Sequence, residues 1–137
     1  MRRPPAKMAG KRLEWAMGTA VTGAKGFAFL SGVTGRDPKT GQVVEGGIDA
    51  QMMAIFVEVK NRLEELGTSM ENICHIRMDW TDPSGVIDAL QKVWKELCPR
   101  FALDNPDRDP PPTTGLGVAA LHAPGMLIEI TVTAAIP

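Results

Sequence analysis

The stretch Cys74-His75-Ile76-Arg77-Met78-Asp79-Trp80-Thr81-Asp82-Pro83-Ser84 changes period at its end, and that change decides the fold class. Cys74, Ile76, Met78 and Trp80 alternate with His75, Arg77 and Asp79, as expected for a strand with one apolar and one polar face. Asp82-Pro83-Ser84 offers a stop and an N-cap. Val86, Leu90, Val93, Trp94 and Leu97 then recur at helical spacing, which predicts an amphipathic helix closed by Pro99.

Working upstream, Met52, Ile55, Phe56, Val59, Leu63 and Leu66 mark a first helix within Ile48 to Leu66, with Gly67 placed to end it. Met52 and Met53 lie on this stripe and read as core filler, not as a soft-metal site. The run Gly26 to Gly32 is apolar and closed by glycines, a short buried strand for which Leu13 to Val21 is a candidate hairpin partner. Between Thr34 and Gly47 the turn chemistry of Asp37-Pro38-Lys39-Thr40-Gly41 predicts a surface excursion, and Gln42-Val43-Val44 allows at most a brief strand.

Downstream, Asp104 to Pro112 holds too many prolines and acids for regular structure and is expected as a stiff exposed loop. Two strands should follow. Leu116, Val118 and Ala120 form one alternating set, Met126, Ile128, Ile130 and Val132 the other, and His122 to Gly125 is the turn between them. The expected fold is α+β: a two-layer arrangement with a mixed sheet and both helices on one face, since each helix has a single apolar stripe to bury. No third helix is available for the opposite face, so burial against other subunits is the expected cover.

The 137 residues, 44% hydrophobic and 23% charged, suit one core without disulfides or a structural metal. Cys74 and Cys98 lack paired metal or redox spacings and are expected as free thiols in a reducing cytoplasm. No apolar run approaches the ~20 residues that span a bilayer, so the reading is a soluble cytoplasmic protein without a membrane partner. Arg2, Arg3, Lys7, Lys11 and Arg12 crowd residues 1–12, read as a basic flexible leader before a single domain over 13–137. Without those five, ten Lys and Arg face sixteen Asp and Glu, the wrong balance for tracking phosphates, so nucleic acid is disfavoured as a partner.

Five segments, Phe29-Leu30-Ser31-Gly32, Ile48-Asp49-Ala50-Gln51, Trp80-Thr81-Asp82, Val118-Ala119-Ala120-Leu121 and Leu127-Ile128-Glu129-Ile130, resemble in order and spacing the RidA/YjgF/UK114 proteins, over roughly residues 20–135. The resemblance implies a chorismate-mutase-like fold and a homotrimer with small-molecule clefts between subunits. It also implies cofactor-free, metal-free hydrolysis of enamines or imines such as 2-aminoacrylate; some members were described as ribonucleases or translation inhibitors.

Such hydrolysis needs a cation for the substrate carboxylate and an acceptor that orients the attacking water. The family's carboxylate-binding arginine falls on Thr113 here, or on Pro112 if the register slips by one, and the small polar residue two positions on falls on Gly115. Activity on 2-aminoacrylate is therefore expected to be weak or absent. Glu129 matches the family's water-orienting glutamate and is the candidate catalytic residue, with Ser31 and Gly32 matching the turn that lines its pocket. Thr113, Thr114, Gly115 and Gly117 offer hydroxyls and backbone N–H groups for a neutral or differently charged ligand. Arg108 and Arg77 are candidate replacement cations, although an exposed arginine among Asp104, Asp107 and Asp109 reads more simply as a solvated loop charge, and Arg77 with His75 reads more simply as a solvated or interface strand face. Alternatives left open are a deaminase for another enamine, such as an aminomuconate-type product, and a non-catalytic trimeric scaffold or metabolite sensor.

Overall fold

A computed structural model describes residues 1–137. In chain order the elements are β1 (Pro5–Met8), β2 (Lys11–Ala16), β3 (Gly26–Phe29), β4 (Val33–Thr34), α1 (Gly47–Glu65), β5 (Ile73–Trp80), α2 (Val86–Leu97), β6 (Thr113–Gly117) and β7 (Ile128–Ile136). The main sheet runs β3, β7, β5, β6, with β4 pairing β7 further along. The β5–β6 pair is parallel and the others are antiparallel. A parallel pair needs a crossover, and α2 supplies it. The expected mixed sheet and α+β class are thus present.

Alternation along the strands decides where the core sits. Ile128, Ile130, Val132 and Ala134 of β7, with Ile76 and Met78 of β5, are buried, and they join one cluster with Ile55, Phe56 and Val59 of α1 and Val93 and Trp94 of α2. Both helices therefore cover the same sheet face. The Trp94 ring meets Phe56 and Phe101 edge-on at centroid distances of 5.0 and 5.1 Å. Burying side chains of this size contributes about 1.5–3 kcal/mol each.

The other face carries His75, Arg77, Thr131, Thr133, Leu116, Phe27 and Phe29, and within one chain it has no covering layer. Phe29 is 76% exposed and Phe27 48%.

Several expectations change in detail. A bulge between Ile73 and His75 makes Cys74 the extra residue of β5, so Ile73 rather than Cys74 fills the core position. Helix α2 starts from Gly85 at φ 72°, not from Ser84. Asp82 instead accepts the Ser84 backbone N–H, which holds its carboxyl below the usual range. The penultimate strand ends at Gly117, and the excursion before α1 holds only an isolated Arg36–Val43 bridge. Cys74 and Cys98 are both unpaired.

The largest correction concerns the N-terminus. Residues 1–12 were expected as a flexible leader, and β2 was a candidate partner for β3. Instead β1 and β2 form their own hairpin around Ala9-Gly10, both at positive φ, as a two-residue turn requires. Ahead of it Arg3 is buried: its guanidinium donates to the carbonyls of Ile73 and Glu71, pairs with Asp109 at 2.6 Å and lies over the Phe101 ring. Composition signalled charge, but charge with buried acceptors is structure, not leader. The 104–112 loop is likewise not wholly exposed, because Pro110 and Pro111 are buried.

Candidate functional site

Strand β4 brings Thr34 opposite Glu129 of β7, and just before it Gly32 passes so close that a Cβ there would lie 2.8 Å from Cδ of Glu129. Any larger residue would push the Glu129 carboxylate from this position. Gly35 similarly lies against α1, where a Cβ would come within 2.7 Å of the Gln51 backbone. Gln51 is buried, donates to Gly125 O and accepts from Leu127 N–H, both at 2.9 Å. One side chain therefore ties α1 to the turn that leads into Glu129.

These elements enclose a cleft of about 840 Å³ at the β4 edge, lined by Gly32 and Glu129, a volume typical of small-molecule sites. Its α1 wall is apolar through Ala50, Met53 and Val57, and its polar groups include Arg36, Arg62, Glu58 and His122. Arg62 is engaged by Glu58 at 2.8 Å. Asp79 is Glu129's cross-strand neighbour on the β5 side and accepts from Arg77 at 3.1 Å, which commits that arginine.

The other sequence candidates lie elsewhere. Ser31 is exposed next to Gly32. Thr113 and Gly115 line a small cavity of about 110 Å³ beneath the N-terminal hairpin, with Trp15, Gln91 and Trp94. The pocket anticipated over Gly115 is filled, because the Trp80 indole lies across it so closely that a Cβ on Gly115 would fall 2.0 Å from the ring. What remains is below the ~300 Å³ of ordinary ligand pockets. Thr113 and Thr114 also border a shallow depression with Cys74 and His75, where His75 Nε2 and the Thr114 hydroxyl are 3.0 Å apart.

Arg108 is only half-exposed, and its Nε is enclosed without a partner, while its carbonyl accepts from Arg12. It is not the solvated loop charge that its acidic neighbours suggested. It does not line the Glu129 cleft either, so within one chain Glu129 meets neither Thr113 nor Arg108.

Sequence reasoning missed Arg36 and His122. Both lie in segments read as turns, where no periodicity assigns a facing direction. Neither thiol is poised as a nucleophile, since burial raises Cys74 and pushes Cys98 up to about 11. No group of three or more His, Cys, Asp or Glu side chains stands together as a metal site, and no helix is long and apolar enough to cross a membrane.

Comparison with known proteins agrees with this architecture. The family model described as endoribonuclease L-PSP matches residues 15–136. A RutC family protein of Aquifex aeolicus is 44% identical over 57 residues, 42% of this chain and 45% of that protein, so the match spans less than half the relative's length. Among solved structures, RidA from the Antarctic bacterium Psychrobacter sp. PAMC 21119 superposes with a TM-score of 0.65 at 25% identity, covering 98% of this chain and 94% of that one. A probable translation initiation inhibitor from Rhodopseudomonas palustris gives a TM-score of 0.68 at 25% identity, covering 100% and 94%. With a match over nearly the whole domain and the same fold throughout these neighbours, the chain belongs to the endoribonuclease L-PSP family, the RidA/YjgF group.

Proposed function

We propose that the protein is a homotrimeric, cofactor-free hydrolase of small imines or enamines, acting in clefts at subunit boundaries and working poorly on 2-aminoacrylate. The observation that carries this reading is the placement of Glu129 in an 840 Å³ cleft against Gly32, where any added Cβ would displace its carboxylate. Two further features support the assembly. The sheet face bearing Phe29 has no cover within one chain, and the Thr113 segment is separated from Glu129, as expected where neighbouring chains complete one site.

In this mechanism an enamine first tautomerises to its imine. Glu129 accepts a proton from water as the water oxygen bonds to the imine carbon and the nitrogen gains a proton. The carbinolamine then collapses: protonated Glu129 gives its proton to the amino nitrogen, the C–N bond breaks as the hydroxyl proton passes to solvent and the carbonyl forms, and ammonia leaves the keto acid. The reaction adds water with no net change in oxidation state, so no redox partner is consumed. Two unpaired cysteines suit a reducing compartment.

The test is ammonia release from imines generated in place by an amino-acid oxidase. Turnover of a larger imine by the natural protein, its loss in Glu129→Ala, and a gain on 2-aminoacrylate in Thr113→Arg are expected. Full activity in Glu129→Ala would overturn the site assignment.

A further inference from the structure

The Glu129 cleft holds two guanidinium groups, and they are not equivalent. Arg62 is half-buried and paired with Glu58 one helical turn away at 2.8 Å. Arg36 is exposed, and its guanidinium makes no ion pair and no hydrogen bond within the chain. Its backbone is nevertheless fixed, because its N–H donates to Thr34 O at 2.9 Å and it bridges Val43 across the excursion. Thr34 is in turn the register partner of Glu129. A positioned arginine two residues along the chain from that partner, on the same cleft, is a cation without an assigned anion.

The cleft's other anions have positions of their own. Glu58 is spent on Arg62, and Asp37 accepts the Lys39 backbone N–H at 2.8 Å within its turn. The N-terminal part of α1 gives the cleft an apolar wall through Ala50, Met53, Ala54 and Val57, and Glu58, Asn61 and Arg62 continue the same helix. A three-carbon acid would leave that wall wet, whereas a longer hydrocarbon body would dry it. A second carboxylate would find the one other guanidinium of the cleft, that of Arg62, already held by Glu58, which leaves it the neutral donors of Asn61 and His122.

We propose that Arg36 holds the ligand's carboxylate in this cleft, and that the ligand is a monocarboxylate with an apolar body resting on α1. The inference deepens the imine-hydrolase reading and rests on it for the location of the site, but it makes a separate claim about recognition. It assigns the missing cation to β4's extension, neither to the 104–112 loop nor to β5.

The experiment is calorimetric titration of the natural protein, Arg36→Gln, Arg36→Lys and Arg108→Gln with 4-methyl-2-oxopentanoate, pyruvate and 2-oxoglutarate. These are keto acids that need no turnover to bind. Arg36 is exposed, so its variants should fold, and thermal melting checks this. Arg36→Gln should weaken 4-methyl-2-oxopentanoate about 10- to 100-fold, the usual worth of a charge-assisted bond. Arg36→Lys should fall between, because a point charge replaces a planar fork. Arg108→Gln should bind as the natural protein does. The branched acid should exceed pyruvate by at least about tenfold through its extra buried carbons, and 2-oxoglutarate should bind no better than pyruvate.

Unchanged affinity in Arg36→Gln, a loss confined to Arg108→Gln, no binding by the natural protein, or tightest binding of the dicarboxylate would each overturn the proposal. Arg36-dependent binding without hydrolysis of the corresponding imine would instead sink the hydrolase reading and leave this one standing.

Discussion

Gly32 and Glu129 are in contact at a place where a Cβ fits only if the carboxylate moves: one built on Gly32 would lie 2.8 Å from the Glu129 Cδ and 3.0 Å from its Oε1. Gly32→Ala should therefore push the carboxylate aside. The Glu129 side chain is only half-buried and can yield, so stability should change by less than about 1 kcal/mol. A displacement of the order of 1 Å should lower kcat about 100-fold. Thermal melting alongside imine turnover separates the two effects, and unaltered turnover would show that the carboxylate position is unimportant.

Trp80 and Gly115 make the second close approach. Trp80 pairs with Gly117 across β5 and β6, and its ring reaches diagonally over Gly115. Gly115→Cys should destabilise the fold by about 1–3 kcal/mol through overpacking. In a Trp80→Ala background the same change should cost little, giving a coupling of at least about 1 kcal/mol in a double-mutant cycle. Additive effects in urea melts would mean that the indole is free to move away.

How far the sequence reached follows from what periodicity can and cannot encode. The alternation in β7 and the stripe in α2 were legible because one face of each is buried and the spacing is fixed by geometry. Glu129 and Gly32 were singled out by resemblance, and the structure sets them together. Arg36 was invisible because a turn has no repeating direction, and Trp80's reach over Gly115 is a diagonal contact between strands far apart in sequence. The bulge at Cys74 shifted the register by one residue, which a strict alternation pattern cannot anticipate.

Arg3 shows how charge misleads when read as composition alone. Its side chain is 2% exposed and serves the backbone carbonyls of Glu71, Ile73 and Asp109 and the Asp109 carboxylate. Arg3→Gln should cost about 3 kcal/mol, since it breaks a buried pair and leaves acceptors unsatisfied. Arg2→Gln, on an exposed residue, should change stability by less than about 0.5 kcal/mol. Equal, small losses in guanidinium melts would restore the flexible-leader reading.

Cys98 supplies a pH dependence whose sign is fixed by burial. Its thiol ionises near 9.0 when unperturbed and at about 11 in the fold. Between those values the folded state keeps a proton that the unfolded state has released, so this contribution to stability is complete below pH 9 and falls as pH rises towards 11. Cys98→Ala should flatten that part of the stability profile measured by urea melts. An identical slope in the variant would assign the alkaline loss to other groups.

Phe29 sits directly across from Thr133 on the face opposite the helices and is 76% exposed in the single chain. A ring of that size in water forgoes about 1.5–3 kcal/mol of burial, and Phe27, 6.4 Å away between ring centroids, adds to the patch. If this face packs against neighbouring subunits, Phe29→Lys places charges in each such contact, where an unpaired buried ammonium costs several kcal/mol. Light scattering at micromolar concentration should then give a trimer for the natural protein and a smaller species for the variant, with far-UV circular dichroism unchanged because Phe29 lies outside the core cluster. A natural monomer would remove the intersubunit site altogether. A variant trimer of unchanged stability would place the interface on another surface and leave the Phe27–Phe29 patch without its proposed role.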